Sequence, residues 1–426
     1  MKKFTSIQFN QLLEYLYDLQ RLGIKVGLEH TEKLLFECGN PQESFRSIHI
    51  AGTNGKGSTA AMLASIFREA GLRVGLYTSP HLIRFNERVR VNGLPISDDK
   101  IVEFVSKYKQ AIKDIQSTFF EATTALAFSH FAEENVDIAI IETGLGGRLD
   151  STNVLKPNVA IITSITSDHT EILGSDLKQI ASEKGGIIKQ DTPLVLAEQT
   201  SDVDSVLKTI AQEKNAIIYE CKNSDVSEIT LLNSGTKFDW QGRGYVSGLI
   251  GRHQAYNAVL AIEATRLFEN IIDYEKIKAG LANTIWPGRM QLLSEELPIY
   301  YDVAHNPHGI EIIIDTIGEI FKEKPIGVLS LKADKELDRI IPKLKNRFEK
   351  LIITSVPDED LMNANELYSV LTNGGILVER ANNFDEAVST LLKNVNKHRP
   401  GLLFGSHYIG KVVFEKFGFS FDKGVI

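Results

Sequence analysis

The chain has 426 residues, of which 43% are hydrophobic and 24% charged, and its formal net charge is −8. This length and composition are ordinary for a globular protein of two or three domains. The acidic balance argues against a general nucleic-acid or anionic-membrane surface, because either partner requires a basic face. Cys38 and Cys221 are the only cysteines. They form neither a disulfide framework nor a zinc motif, so we expect a reducing compartment.

The N-terminal segment "MKKFTSIQFNQLLEYLYDLQ" is interrupted by polar residues throughout, as in an amphipathic helix. It therefore does not resemble a signal peptide, and no segment approaches the roughly 18 apolar residues of a membrane span. We expect a cytoplasmic protein with neither nucleic acid nor membrane as a partner.

Short, unbroken apolar segments alternate with helical patterns between residues 47 and 197. Strands without polar alternation are typical of a parallel sheet that is covered on both faces, and the alternation predicts a doubly wound α/β domain. A hairpin is indicated by "RVRVNG". The strand candidates are "SIHIAG", "RVGLYTS", "VDIAIIETG", "NVAIITSI" and "PLVLAE", and the helices include "STAAMLASIFREAG", "DDKIVEFVSKYKQAI" and "EATTALAFSHFAEEN".

Residues 214–249 consist of short segments separated by turns, which predicts a small antiparallel region packed on the side of the first domain. A helix follows over "HQAYNAVLAIEATRLF", and "TIWPGRMQLLSEELP" reads as a linker because it has little periodicity. A second alternating series begins at "IYYDVAHNP". We therefore expect an N-terminal domain of residues 1–286, a linker over 287–297, and a smaller Rossmann-like α/β domain of residues 298–426.

The segment "HIAGTNGKGSTAAM" places glycines around one lysine, between a predicted strand and a predicted helix. It departs from the strict P-loop pattern, because Ile50 stands five residues before Gly55 and Gly57 separates Lys56 from Ser58. The glycines still permit tight turns whose amides, with the N-terminal end of the helix, can bind phosphate. Lys56 suits the β- and γ-phosphates, and Ser58 offers a hydroxyl to Mg²⁺. The alternative is a glycine-rich turn with a surface lysine. The predicted nucleotide-binding loop comprises Gly52, Thr53, Asn54, Gly55, Lys56, Gly57 and Ser58.

Glu142 closes the apolar segment "VDIAIIE". Open α/β sheets bind ligands at the carboxyl ends of their strands, so a carboxylate here favours function over the alternative of a helix-capping or surface charge.

A series of motifs, in order along the chain, resembles folylpolyglutamate synthase and dihydrofolate synthase of the Mur ligase superfamily. The motifs are "AGTNGKGST", "GLYTSPHLIRFNERVRVNG", "FFEATTALAF", "ETGLGGRLDSTN", "SDHTEILG", "EKGGIIK", "GRHQAYNA", "WPGRM", "DVAHNPHG" and "GSHY". They run from residue 49 to residue 408, and the ordered set is far more specific than any one motif. The resemblance implies a two-domain Mur-ligase-like fold and an ATP-dependent ligase that forms amide bonds through an acyl phosphate.

The resemblance also implies a magnesium site and a modified lysine. The metal ligands are Ser58, Ser79, Glu142 and His169, with two Mg²⁺ sites expected. Lys184 matches a lysine that relatives carry in carbamylated form, which converts a cation to an anion; its alternative is a solvated lysine in mid-helix. Gly185 follows where relatives usually have alanine, which weakens a helix at that point.

Further roles follow from the resemblance. The nucleotide is expected to span both domains and to contact Asn257, Gln254, Arg289 and Asp302, although helix-surface amides remain an alternative for the first two. For the amine substrate, L-glutamate, the resemblance implies Arg88, His305 and Ser406, with a strand-edge charge as the alternative for Arg88. Lys56, Lys184, Arg88 and His305 are the expected catalytic residues. Val303 replaces the glycine of the usual family motif.

The acid substrate is expected to bind near "PHLIRF" and "FFEATT". Phe120 and Asp150 are implied as its contacts, although Phe119 and Phe120 are otherwise ordinary core residues. The form "GGRLDSTN" favours a bifunctional enzyme that adds L-glutamate to dihydropteroate and to the glutamate tail of folates. A folylpolyglutamate synthase alone, or a Mur-like amino-acid ligase acting on another acid, is the alternative. A P-loop switch or motor ATPase would leave "WPGR" and "DVAHNP" unexplained. The implied set of metal ligands argues against a non-enzymatic nucleotide-binding module. A monomer is expected, as in relatives.

Overall fold

The computed structural model describes residues 6–23, 27–166, 176–268, 272–333, 337–357 and 359–419. The chain forms two compact units. The first comprises the described parts of Met1–Val226 and Tyr256–Thr284, and the second comprises those of Ser227–Ala255 and Ile285–Phe421. Within the described residues, no helix is long and apolar enough to cross a bilayer.

The first unit contains an eight-stranded sheet, counted over the described residues, in the order β4-β3-β2-β5-β1-β6-β7-β8. Strands β1, β2 and β5 to β8 pair in parallel, as the unbroken apolar segments predicted. The strands are β1 (Arg46–Ala51), β2 (Val74–Tyr77), β3 (Val89–Val91), β4 (Leu94–Pro95), β5 (Ile138–Glu142), β6 (Val159–Ile162), β7 (Leu194–Ala197) and β8 (Ile218–Cys221).

The predicted hairpin is present. Strands β3 and β4 pair antiparallel, and Asn92 and Gly93 both have positive φ, at 50° and 81°. This is the turn geometry that matches the twist of paired strands, and Asn-Gly suits it because both residues tolerate the left-handed region.

Helices connect the strands of this unit and cover the sheet. Their buried side chains include Phe128 and Phe131 of the fifth helix, which pack with Ile141 of β5 in one hydrophobic core. The helices are α1 (Ser6–Asp18), α2 (Glu29–Glu37), α3 (Lys56–Glu69), α4 (Asp98–Ile115), α5 (Phe119–Glu133), α6 (Leu177–Gly185), α7 (Ser201–Glu213), α8 (Arg252–Phe268), which begins in the second unit, and α9 (Tyr274–Ala282).

The second unit contains two sheets. Strands β9 (Val226–Leu232), β10 (Gly235–Trp240) and β11 (Arg243–Ser247) form a three-stranded sheet, with β10 and β11 antiparallel. A six-stranded sheet has the order β12-β13-β17-β14-β15-β16 and is parallel except for β12. Its strands are β12 (Gln291–Leu292), β13 (Ile299–Asp302), β14 (Ile326–Leu329), β15 (Lys350–Ile353), β16 (Val378–Arg380) and β17 (Gly401–Phe404). The helices are α10 (Pro307–Ile320), α11 (Leu337–Leu344), α12 (Ala364–Asn373), α13 (Phe384–Asn394) and α14 (Gly410–Phe417).

The small antiparallel region differs from expectation in its location. The sequence placed residues 214–249 on the first domain, whereas most of this region packs within the second unit. The Tyr300 hydroxyl donates to the Asn233 carbonyl at 3.2 Å, and Ile250 shares a core with Met290 and Tyr300. These are long-range contacts, which turn patterns along the chain do not encode.

Candidate active site

The glycine-rich loop joins β1 to α3, as predicted. Gly52 and Gly55 have φ values of 148° and 91°, a region that side chains rarely adopt. A Cβ on Gly52 would overlap the side chain of Thr163, and one on Gly55 would overlap that of Asn257. Both glycines are therefore required by backbone conformation and by close packing.

The N-terminal end of α3 points into this loop. The first helical hydrogen bond runs from the Thr59 amide to the Gly55 carbonyl at 2.9 Å, so the preceding amides of the helix have no intrahelical acceptor. Ser58 lies in this first turn and is buried. Unpaired amides and the helix dipole together make such a turn suitable for an anion.

The side chain of Lys56 turns back over the loop. Its Nζ donates to the carbonyl oxygens of Gly52 and Thr53 at 3.2 and 3.3 Å and lies 3.9 Å from Oε1 of Glu142. Oε2 of Glu142 accepts the Ser79 amide at 3.2 Å. Lys56, Glu142 and Ser79 therefore lie together at the carboxyl edge of the sheet. This position excludes the alternatives of a surface lysine for Lys56 and a surface carboxylate for Glu142.

The middle of the loop is fixed to the end of β6. The amides of Thr53 and Asn54 donate to the Ser164 carbonyl at 2.9 and 3.3 Å, and the Thr53 hydroxyl donates to the Thr166 carbonyl at 3.1 Å. Two residues of the predicted binding loop thus serve its conformation. His169, the remaining predicted metal ligand, lies outside the described residues.

Lys184 is buried and contacts the glycine-rich loop. Its Nζ donates to the Gly52 carbonyl at 2.7 Å. The expected mid-helix position is wrong, because α6 ends at Gly185, one residue later. A Cβ on Gly185 would lie 2.7 Å from Cδ1 of Ile210, so the glycine permits close packing of α6 on α7. At a helix end it does not weaken the helix as an interior glycine would.

A large pocket of about 1000 Å³ opens in the first unit. Its walls include the segment after β2, the end of the 3₁₀ helix Phe85–Arg88, the start of α5, the loop after β5, one face of α6 and part of the N-terminal segment. Predicted site residues in the walls include Ser79, Arg88, Phe120 and Asp150. The structure thereby brings together four residues that lie far apart in the sequence.

Arg88 is a buried cation in this wall. The residue is 9% exposed, its Nε donates to Nδ1 of His81 at 2.9 Å, and its guanidinium lies 5.3 Å from the ring centre of Phe119. Burial lowers the pKa of Arg88. The alternative of a charge at a strand edge is therefore excluded for Arg88. Sequence reasoning missed Tyr17 of α1, whose ring stacks on that of Phe119 with 5.6 Å between the ring centres.

Asp150 organises the loop after β5. One carboxylate oxygen accepts the amides of Gly144 and Leu145, each at 2.9 Å, and the other accepts the amide and the hydroxyl of Thr152. Burial raises the pKa of Asp150, and these hydrogen bonds oppose the increase. The carboxylate is thus oriented by its own loop where it borders the pocket.

Phe120 borders the same pocket and is only partly buried. Its ring fills the space beside Gly144, where a Cβ would overlap it, and lies 5.9 Å from the ring of Tyr77. Phe119 is buried in the core and also lines the pocket, whereas Phe120 packs against the edge of that core.

Asp302 fixes the backbone of the "WPGRM" motif in the second unit. Its carboxylate accepts the amides of Met290 and Ala304, each at 2.7 Å. Burial raises the pKa of Asp302, and the guanidinium of Arg289 opposes the increase. Arg289 itself donates to the Gly288 carbonyl at 3.1 Å. The carboxylate therefore has a structural role in addition to any role toward a ligand.

Val303, which replaces a glycine of the family motif, fits this backbone. Its amide donates to the Gly288 carbonyl at 3.0 Å, and its side chain is buried. Positive φ, the conformation for which glycine would be needed, is not found at this position among the described residues.

His305 follows β13 and Ser406 follows β17. Because these two strands are adjacent and parallel, both residues lie at the carboxyl end of the six-stranded sheet. Nδ1 of His305 lies 2.9 Å from the Val303 carbonyl and therefore carries the hydrogen. Oγ of Ser406 accepts the Tyr408 amide at 3.1 Å.

Gln254 and Asn257 of α8 are both buried, so neither is a helix-surface amide.

Comparison with known proteins identifies the family. The model of the Mur ligase middle domain matches residues 50–265, and that of the Mur ligase, glutamate ligase domain matches residues 288–407. The chain belongs to the Mur ligase family. It is an ATP-dependent ligase of this family, as the motif series predicted.

This Mur ligase is 39% identical over 360 residues to a dihydrofolate synthase/folylpolyglutamate synthase of Bacillus subtilis, covering 80% of this chain and 83% of the relative. Its fold is similar to that of Mycobacterium tuberculosis folylpolyglutamate synthase complexed with ADP and AMPPCP, with a TM-score of 0.88, 30% identity, and coverage of 97% and 99%. It is also similar to Escherichia coli FolC in complex with DHPP and ADP, with a TM-score of 0.83, 29% identity, and coverage of 96% and 97%.

Sequence reasoning missed two buried polar residues that lie behind the pocket wall. Thr152 and His49 form a buried hydrogen bond behind Asp150, with 2.8 Å between Oγ1 and Nε2. Thr152 stands in a quoted motif, but a threonine in a turn carries no distinctive pattern. His49 stands in an apolar strand, where its polarity was the feature that could have drawn attention to it.

Proposed function

We propose that this Mur ligase joins L-glutamate to dihydropteroate and to the glutamate tail of folates, with ATP as the activating substrate. One observation carries the proposal: Ser79 borders the large pocket, and its amide contacts the carboxylate of Glu142, which lies 3.9 Å from Lys56 of the phosphate loop. A pocket of about 1000 Å³, which can hold an organic acid, therefore adjoins the proposed phosphate-binding loop at the carboxyl edge of the sheet.

The chemistry follows from that shared edge. A carboxylate must be activated before an amine can displace oxygen from it, and transfer of the γ-phosphoryl group of ATP gives an acyl phosphate. The glutamate amine then attacks the acyl carbon, an amide forms, and phosphate leaves. Lys56 and the amides at the start of α3 would stabilise the charge on the transferred group.

Magnesium binding is proposed at the same edge. Within the described residues, no group of three acidic, histidine or cysteine side chains could hold a metal. Mg²⁺, however, often takes one or two carboxylates and completes its shell with waters and substrate phosphates. Glu142 with the hydroxyls of Ser58 and Ser79 fits that preference, since all are hard oxygen donors and Glu142 and Ser58 are buried. Two Mg²⁺ sites remain our prediction.

Carbamylation of Lys184 is also part of the proposal. The buried amine lies against the Gly52 carbonyl at the phosphate loop, where an anion could support a magnesium ion or its waters. A lysine amine reacts to form a carbamate only after it has lost its proton, and the product carries a negative charge.

The other predicted contacts remain proposals. For the acid substrate we propose Phe120 and Asp150, and for glutamate Arg88, His305 and Ser406. Arg88 is suited to a carboxylate because its planar fork can bind both oxygens. For the nucleotide we propose Asn257, Arg289 and Asp302. A monomer is predicted, which sedimentation of the purified protein would check.

Phosphate release tests the proposed reaction. The purified protein is supplied with MgATP and L-glutamate, and dihydropteroate or tetrahydrofolate is added in turn. Release with both acids supports the bifunctional enzyme, and release with tetrahydrofolate alone indicates a tail-extending enzyme only. Release with neither acid contradicts the assignment to folates. ATP hydrolysis independent of any acid would favour a switch or motor ATPase instead.

A further inference from the structure

A chain of buried side chains runs from the phosphate-loop strand to the wall of the large pocket. His49, in β1, is fully buried, and its Nε2 lies 2.8 Å from Oγ1 of Thr152. The Thr152 hydroxyl in turn hydrogen-bonds Oδ1 of Asp150. Asp150 borders the pocket. None of the steps of amide formation described above uses His49 or Thr152.

The direction of the hydrogens in this chain can be assigned from the donors around Asp150. The carboxylate accepts three amides, from Gly144, Leu145 and Thr152, which is the pattern of an ionised acceptor. The single hydroxyl hydrogen of Thr152 therefore points to Asp150. Its oxygen then accepts from His49, whose Nε2 carries the hydrogen.

The surroundings of the second ring nitrogen of His49, Nδ1, indicate a neutral ring. Nδ1 of His49 is buried with no hydrogen-bond partner among the described residues. A charged ring would place a second N–H donor there without an acceptor, which is costly in a buried site. His49 is therefore a neutral donor of fixed orientation.

We propose that Thr152 and His49 are positioning residues that hold Asp150 as an oriented, ionised acceptor for ring N–H groups of the acid substrate. The inference rests on the proposed function, because it requires a substrate with such donors in the large pocket. Three amides and the hydroxyl of Thr152 donate to the carboxylate and fix its plane. Of these four donors, the hydroxyl is held in turn by His49, which lies in β1.

Substitution of Thr152 tests the positioning role. Thr152→Val keeps the shape of the side chain but removes the hydroxyl, and Thr152→Ser keeps the hydroxyl. We expect Thr152→Val to raise the KM for dihydropteroate about tenfold or more, the effect of losing a charge-assisted hydrogen bond. The KM for ATP should stay within about twofold, and Thr152→Ser should restore the KM for the acid.

The histidine provides a second readout, which is measured on the wild-type protein. The Nε2 resonance of His49, assigned by its loss in His49→Gln, should show a neutral ring protonated on Nε2. It should shift when wild-type protein is saturated with dihydropteroate. An unchanged resonance overturns the proposal, as does an unchanged KM for the acid in Thr152→Val.

The outcomes separate this inference from the proposed function. A wild-type protein that releases no phosphate with either acid contradicts the function itself. A wild-type protein that is active, with a Thr152→Val variant whose two KM values change in parallel, contradicts only the positioning role. An isolated change in the KM for the acid, rescued by serine, supports it.

Discussion

Nζ of Lys184 lies 2.7 Å from the carbonyl oxygen of Gly52, so the last turn of α6 contacts the first residue of the glycine-rich loop. Lys56 donates to the same carbonyl at 3.2 Å. A carbonyl oxygen has two lone pairs, and here two lysines separated by more than 120 residues in the sequence use them. The conformation of the loop and the placement of both amines are therefore linked.

Replacement of Lys56 by alanine should abolish turnover while the fold persists. The ammonium group would stabilise charge on the transferred phosphoryl group, and removing one such donor costs about a hundredfold or more in kcat. Steady-state phosphate release measures the loss. The matched control is Lys208→Ala, because Lys208 is a lysine of α7 that pairs with Asp204 and Glu220. Comparable activity of Lys56→Ala and wild type would contradict the assigned role.

Replacement of Gly144 by alanine should weaken acid binding selectively. The added methyl group would overlap the ring of Phe120, so the ring must move into the pocket or away from it. We expect the KM for the acid to rise about tenfold, equivalent to about 1.4 kcal/mol, with the KM for ATP unchanged. Gly244→Ala is the control, since a Cβ there meets nothing within 4 Å. An equal effect of the two substitutions would exclude Phe120 from the acid site.

Replacement of Lys184 by alanine should lower kcat by about a hundredfold if the residue supplies an anion near transferred charge. A small carboxylate such as formate, added to the variant, should restore part of the activity because it replaces the carbamate. The wild-type protein with formate is the control and should not be activated. Absence of rescue, together with no carbamate carbon signal after labelling with ¹³C-bicarbonate, would contradict carbamylation.

Acid should destabilise the protein partly through His49. Burial lowers the pKa of His49 from 6.5 to about 3, so the unfolded chain binds a proton that the folded chain does not. Above pH 6.5 the histidine is neutral in both states and does not affect the free energy of unfolding. As the pH falls from 6.5 toward 3, protonation of the unfolded chain lowers the free energy of unfolding by up to about 1.4 kcal/mol per pH unit.

Urea unfolding at pH 7 and pH 5 measures this dependence in wild type and His49→Gln. The difference between the two proteins isolates His49 from the other titrating groups, including Asp150, whose raised pKa acts in the opposite sense. The wild-type protein should lose more stability than the variant between the two pH values. Equal losses would show that His49 does not titrate on unfolding in this range.

The sequence predicted the parallel sheet, the glycine-rich turn between β1 and α3, and the position of Glu142 at the end of β5. Each of these depends on local pattern: an apolar strand, glycines beside a lysine, and a charge at a strand end. It did not predict the stack of Tyr17 on Phe119, nor the contact between Lys184 and Gly52. These contacts join segments that are distant in the sequence, and no periodicity records them. The helix end at Gly185 was missed for the same reason, since α7 determines how closely α6 packs.

Burial resolved several alternatives that the sequence left open. Arg88, Gln254 and Asn257 are all polar residues whose patterns allow either a surface or an interior position, and each is buried. The small antiparallel region was assigned to the wrong unit because turn spacing predicts strands but not the surface on which they pack.

The large pocket and the glycine-rich loop follow different strands of the same sheet. Half of the pocket's residues lie in the segments after β2 and β5, whereas the loop follows β1. Loops at the ends of strands tolerate change more readily than the strands that hold them. If the pocket binds the acid, as proposed, changes in these loops can alter which acid is accepted while the backbone of the glycine-rich loop stays as it is.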